Sequence, residues 1–268
     1  GGSCYVPNIK GKGVPFELSL AVHSDAGYTN DMKSIYGSLS ICTTNTNNGK
    51  LNSGKSRQCS KDFAQSLLSG LQKDLTANFG KWATRELYDR NYSETRCPEV
   101  PSAIIETLSH QNFPDMVMAQ DPNVKFTIAR SLYKTILKFI SRQHDKSYVV
   151  TPLAPQHPYI KFVDEGMVEI AWDPQEDPTE PSAKPTSYIL YTATGNGDFD
   201  NGEPIKGNRI RVRMTADVQY SFKITAVNKG GESFPSETLS AVYHPGATKS
   251  ILVINGFHRL AAPAVVDN

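Results

Sequence analysis

Two polar residues stand where an α/β sheet would place chemistry. His23 follows the apolar run Leu20, Ala21 and Val22 in "LAVHSDAG", and Glu106 follows "SAII" in "VPSAIIETLSHQNF". Open α/β sheets bind their ligands at the carboxyl ends of the strands. A glutamate set directly after four small or apolar residues faces a desolvation cost that moves its pKa upward. Such a carboxyl suits a general base, above all one acting on a metal-bound water. The alternative is structural: Glu106 closes its strand at the surface, and His23 marks where the other strand stops. A second set, Tyr88, Arg90, Tyr92 and Arg96 in "ELYDRNYSETR", precedes the Glu106 strand. A polysaccharide lyase would use a tyrosine base and an arginine that neutralises a uronate, whereas a plain solvated loop needs neither. "GDFDNGE" starts like a calcium loop, but Arg209 stands where the twelfth-position glutamate would be, which reads as a sandwich turn. The sequence holds no phosphate-binding glycine loop, dinucleotide fingerprint or G-x-S-x-G elbow.

The elements that must carry these residues fall into two textures. Between residues 15 and 143, "PFELSLAVHS" and "YGSLSICTT" read as strands and "NTNNGKLNSGKSRQ" as a loop. "SKDFAQSLLSGLQKDLTANFG" places Phe63, Leu67, Leu68, Leu71 and Leu75 on one helical face, with Ser60 as N-cap and Gly80 as the stop. "VPSAIIETL" is a further buried strand. "VKFTIARSLYKTILKFISRQ" carries Phe126, Ile128, Leu132, Ile136 and Ile140 at helical spacing. Strands alternating with helices predict an α/β layer with a mostly parallel sheet. After about residue 150 the Pro-rich "TPLAPQHPY" reads as a linker. Then come only short strands: "YIKFVD", "MVEIAWD", "SYILYTAT", "IRVRMT", "QYSFKITAVN" and "TLSAVY". This predicts an all-β immunoglobulin-like sandwich with Trp172 facing inward. "ILVI" near the C-terminus predicts one more strand, the start of a further domain or a tail. The organisation expected is thus residues 1–150, 151–246 and 247–268.

Bulk properties exclude several classes. The 268 residues suffice for two domains with their own cores. The 28 basic and 27 acidic residues are nearly balanced, with no like-charge run to suggest nucleic-acid binding. No apolar stretch approaches the roughly 18 residues that span a bilayer. The opening Gly-Gly-Ser-Cys carries neither methionine nor a signal pattern, so the chain reads as a processed product or a fragment. The four cysteines, Cys4, Cys42, Cys59 and Cys97, lack CxxC spacing. This argues against a four-cysteine zinc site and leaves disulfides and free thiols both open.

"SLAVHSDAG" resembles the "SIHANA" segment of zinc-dependent N-acetylmuramoyl-L-alanine amidases of the Amidase_3 type. "VPSAIIETLSHQNFPDM" is similar to that family's "PAVLVETGFLSNPED" segment, and the intervening strand and helix follow in the same order. The resemblance covers roughly residues 15 to 143 and implies that His23 is a zinc ligand. It likewise implies that Glu106 is the base activating the zinc-bound water. It also implies zinc as cofactor, peptidoglycan or another cell-surface glycan as partner, and a secreted, periplasmic or cell-surface location. The departures matter equally. The family's "DPGHGG" motif and a following glutamate, which supply its other two ligands, have no counterpart in this sequence. Catalytic zinc normally takes three protein ligands and a water, so the site is expected to be incomplete and this chain inactive as it stands. Asp25 replaces the family's asparagine, and His110 stands where Ser-Asn is usual, as a substitute ligand, a substrate contact or a loop residue.

"YSFKITAVNKGGESFPSE" resembles the last strands of fibronectin type III domains, with Tyr220 at the tyrosine corner. The series of segments, ending in "INGFHR" with His258, is similar to exported Bacteroidetes proteins labelled xanthan lyase. Three functions therefore stand side by side: a cell-wall amidase domain, present in part; a non-catalytic binder of glycan or peptide on that scaffold; and a polysaccharide lyase.

Overall fold

The computed structural model describes residues 16–254; Cys4 and His258 lie outside them. The chain divides after Lys146 into two compact units.

In the first unit, the chain runs through β1 (Ser19–Asp25), β2 (Leu39–Cys42), α1 (Gln58–Phe79) and β3 (Tyr88–Asp89). It continues through α2 (Ser93–Arg96), β4 (Ser102–Ser109), α3 (Phe113–Gln120) and α4 (Pro122–Gln143). The sheet order is β1-β4-β2-β3. The β1–β4 and β2–β3 pairs are parallel and the β2–β4 pair is antiparallel. The sheet is therefore mixed, which a list of strands in sequence cannot disclose, since pairing direction depends on where each connection crosses.

Helix α1 forms because Phe63, Leu67, Leu71 and Leu75 recur at four-residue spacing, and all four are fully buried. Burying each such side chain contributes about 1.5–3 kcal/mol. The facing helix α4 brings Phe139 to 4.8 Å from the Phe63 ring. Gly70 permits this approach, because a Cβ there would lie 2.5 Å from Thr135 Oγ1. Gly80 ends α1 at φ 87° with its N–H on the Thr76 carbonyl, as expected. Two expectations are corrected. The N-cap is Arg57, while Ser60 lies inside the first turn, where its Oγ accepts the Ser102 N–H at 3.1 Å and ties helix to sheet. Phe126 is exposed, because α4 buries the face carrying Val124, Leu132 and Phe139, and Phe126 lies two residues, about 200°, around from Val124.

Successive side chains of β4 alternate between faces. Ala103 and Ile105 join the core beneath α1 and α4. Ile104 points the other way, into a small cluster with Leu39, Ile41, Ala21 and Tyr88. Glu106, two residues beyond Ile104, shares that face, away from α1 and α4.

The second unit contains β5 (Gln156–Asp164), β6 (Met167–Asp173), β7 (Ser187–Thr194) and β8 (Glu203–Ile205). β9 (Arg209–Arg213), β10 (Gln219–Asn228), β11 (Gly231–Glu232) and β12 (Leu239–Val242) complete it. Two antiparallel sheets, β5-β6-β9 and β11-β10-β7-β8 with β12 also on β10, enclose one core of Val168, Ile170, Trp172, Leu190, Phe222 and Ile224. Trp172 is buried, edge-on to Tyr188 at 5.2 Å. The Tyr220 hydroxyl reaches back to the N–H and Oγ1 of Thr215 at 3.3 and 3.2 Å, the corner bond of immunoglobulin-like sandwiches. All six predicted strands are present, as is the turn at "GDFDNGE", where Asp200 Oδ1 accepts the N–H groups of Thr192 and Gly202.

Two further corrections fall in this unit. The Pro-rich segment is no free linker: Val150 and Leu153 are buried, Asn228 Nδ2 donates to the Val150 carbonyl at 2.9 Å, and β5 begins at Gln156. The "ILVI" run is not a strand, and its side chains are 75–91 % exposed, because no neighbouring strand in the described residues pairs with it. Cys42, Cys59 and Cys97 are free thiols.

Candidate functional site

The parallel register of β1 and β4 sets His23 directly beside Glu106. On the other flank Glu106 faces Leu39 of β2. The two residues singled out from the sequence are therefore brought together, but within their strands and not at the ends expected: β1 continues for two residues past His23 and β4 for three past Glu106. His23 Nδ1 lies 3.8 Å from Glu106 Oε1, and His23 Nε2 lies 3.0 Å from Glu94 Oε1. Glu106 is buried, and its Oε2 has no hydrogen-bond partner. Burial, then the nearby Asp25 carboxylate, pushes the Glu106 pKa upward, while His23 and Arg85 pull it down.

Three groups around this pair meet partners that lie far off in the sequence. Glu94 reaches His23 from α2, and nothing in "YSETR" announces so distant a partner. Asp25 accepts a hydrogen bond from Arg85 Nη1 at 2.5 Å, and the Arg85 guanidinium lies over the Tyr36 ring at 4.3 Å. Asp115 is fully buried and accepts the backbone N–H groups of Tyr36, Gly37 and Ser109 at 2.8, 3.0 and 2.9 Å. It also takes Asn112 Nδ2 at 2.9 Å. Asn112 in turn binds Thr29 N and the Ser34 carbonyl, so one aspartate and one asparagine fix the loops that follow β1 and β4. The spacing of Asn112 and Asp115 around the start of α3 is a helix-start pattern that could have pointed to them.

His110 lies just beyond β4, with Nδ1 3.2 Å from Ser24 Oγ, and does not join His23 and Glu106. The tyrosine and arginine set disperses. "ELYDRNYSETR" is part strand and part helix, with the Arg90 guanidinium stacked on the Tyr88 ring at 4.2 Å. Arg96 Nη1 donates to the Asn91 side chain, and Tyr92 is exposed.

Among the described residues no three His, Cys, Asp or Glu side chains form a group able to hold a metal ion. The buried Glu106 oxygen and His23 do not by themselves fit a catalytic zinc centre, which needs a third ligand and an open position. No helix among the described residues is long and apolar enough to cross a membrane.

No protein-family model matches the chain, and no curated protein matches it either. Several solved structures do. The twitchin kinase region from C. elegans is 23% identical over 37% of this chain and 18% of its own, with a TM-score of 0.32. A structure of titin domains is 22% identical over 35% of this chain and 32% of its own, with a TM-score of 0.31. A myokine structure is 14% identical over 35% of this chain and 99% of its own, with a TM-score of 0.30. The matched stretch thus spans under a third of the twitchin and titin chains.

Proposed function

We propose that the α/β unit is a hydrolase-type domain of the cell-wall amidase kind, with Glu106 as general base and His23 beside it. One observation carries this reading: a buried carboxyl with an unpartnered oxygen stands next to a histidine, in register on two parallel strands. Burial keeps Glu106 a stronger base than a solvated glutamate, as removal of a proton from water requires. The substrate would be the amide between N-acetylmuramic acid and L-alanine. The zinc-dependent form of the reaction requires two further ligands from outside the described residues.

A second reading, glycan or peptide binding without turnover, is favoured by a specific contact: Glu94 occupies His23 Nε2. A polysaccharide lyase draws less support, since Tyr88 and Arg90 stack on each other. We read the sandwich as a fibronectin type III spacer and an exported, cell-surface setting as the matching location.

Calorimetric titration with a soluble muramoyl peptide tests the site. The wild-type chain is expected to bind it, and Glu106→Gln and His23→Ala each to weaken binding about tenfold, or 1.4 kcal/mol. Equal binding by correctly folded variants would sink the assignment. New amine released in zinc-containing buffer, and abolished by Glu106→Gln, would select hydrolysis over binding alone.

A further inference from the structure

We propose that Ser24 and His110 form a nucleophile–base pair that accepts an acyl group from carboxylic esters, a site separate from Glu106. The Ser24 hydroxyl donates to His110 Nδ1 at 3.2 Å when the imidazole proton sits on Nε2. A hydroxyl within hydrogen-bond reach of an imidazole acceptor is the nucleophile–base part of an activated serine, to which a full triad adds a group that orients the base. Both residues are exposed, so a substrate can reach them.

The backbone holds this pair in place. His23 pairs with Glu106 and Asp25 with Ser109, so two residues of β4, Thr107 and Leu108, oppose the single Ser24 of β1. Ser24 therefore sits at a bulge, a feature that re-aims side chains and gathers near active sites. Two hydrogen bonds bracket it: Thr107 Oγ1 donates to the His23 carbonyl at 2.9 Å, and His110 N–H donates to the Asp25 carbonyl at 2.9 Å. The second of these fixes the backbone of His110 one residue from the nucleophile.

The same surroundings define the substrate class. The Ala26 N–H is engaged by Asp25 Oδ1 at 2.8 Å and the Gly27 N–H by Gln111 Oε1 at 3.0 Å. A tetrahedral oxyanion would find neither amide free to stabilise it. Among the described residues no carboxylate orients the His110 ring. The pair is thus suited to esters with good leaving alcohols and not to amides. In the step itself, Ser24 Oγ forms a bond to the acyl carbon and the bond to the leaving alcohol oxygen breaks. The serine proton passes to His110 Nδ1 and on to that oxygen. Water, deprotonated by His110, then releases the carboxylic acid and restores the Ser24 hydroxyl.

The test is acetylation of the whole chain by 4-nitrophenyl acetate, followed by peptide mass mapping and by release of 4-nitrophenolate. The acetyl group is expected on Ser24 in the wild type. Ser24→Ala should lose it, and His110→Gln should slow Ser24 acetylation about a hundredfold, the low end of general-base contributions. Both positions are exposed, and circular dichroism matching the wild type confirms that the variants fold. Acetylation confined to lysines or to His23, or equal Ser24 acetylation in His110→Gln, would overturn the proposal.

Discussion

Glu106 on β4 and Glu169 on β6 are both buried glutamates in the interior strand of a sheet, and their neighbours give them opposite chemistry. Glu169 lies in register with Lys161 on one side and Arg211 on the other. Their nitrogens approach its two oxygens at 3.2 and 3.5 Å. The Lys161 hydrogen bond comes first in holding its pKa below the usual range, with burial opposing. Glu106 has His23 and Leu39 in the same register positions, so burial dominates and the pKa rises. A row of cation, carboxylate and cation across three strands is a stabilising cross-strand ladder. Replacing its cations by a histidine and a leucine leaves a similar carboxyl with a raised pKa. Glutamate in mid-sheet does not mark a functional site by itself; the residues one strand away decide.

The sharpest way to break this comparison is to disturb a buried carboxylate that has every partner. Asp115→Asn turns one acceptor oxygen into an NH2 group that faces donors, either the Tyr36 N–H and Asn112 Nδ2 or the N–H groups of Gly37 and Ser109. A loss of about 3 kcal/mol is expected in urea unfolding of the α/β unit, from hydrogen bonds to a charged group worth roughly 1.5–3 kcal/mol each. A neutral result would mean that the loops are held by something else.

Glu106→Leu should act in the other direction, raising stability at pH 7 by about 1–2 kcal/mol, since a buried charge without good partners gives way to an apolar side chain. The sign follows from linkage. The folded protein holds the Glu106 proton to higher pH than the unfolded chain does. Relative stability is therefore full below the ordinary value of 4.5 and is lost as pH rises through the raised folded value. The gain of the variant should accordingly fade as pH falls through the raised folded value toward 4.5, and be gone below it. A gain independent of pH would show that charge is not its source.

The smallest effect belongs to Glu169→Gln, with the opposite sign. A depressed pKa contributes stability above the unfolded value of 4.5 that is lost as pH falls through the lower folded value. The variant should be slightly less stable at neutral pH and equal to the wild type in strong acid. Thermal midpoints at the two pH values check it, and a variant more stable at neutral pH would break the contrast.

What the sequence discloses and what it hides follow the reach of each interaction. Helices α1 and α4 and the sandwich strands are legible because their apolar spacing is a local property of a window of residues. Trp172 and Tyr220 are legible because a β alternation fixes their side. His23 and Glu106 could be suspected from strand ends, yet their register depends on pairing residues 83 apart in the sequence. Glu94 and Arg85 escaped notice for the same reason, since each meets its partner across an intervening element, whereas Asp115 carried a local helix-start pattern with Asn112 that went unread. The antiparallel β2–β4 pair is equally non-local. The "ILVI" run shows the converse, because β-forming residues without a neighbouring strand cannot satisfy their backbone groups in a sheet.

The free thiols of the α/β unit have a practical consequence. Burial pushes the Cys42 thiol up to about 12 and raises that of Cys59 as well, so both stay protonated at neutral pH while the unit is closed. A thiol-specific reagent, which attacks only the thiolate, can modify them only when the sheet and α1 part. The rate at which these two cysteines are alkylated is therefore a built-in clock for the opening of this unit.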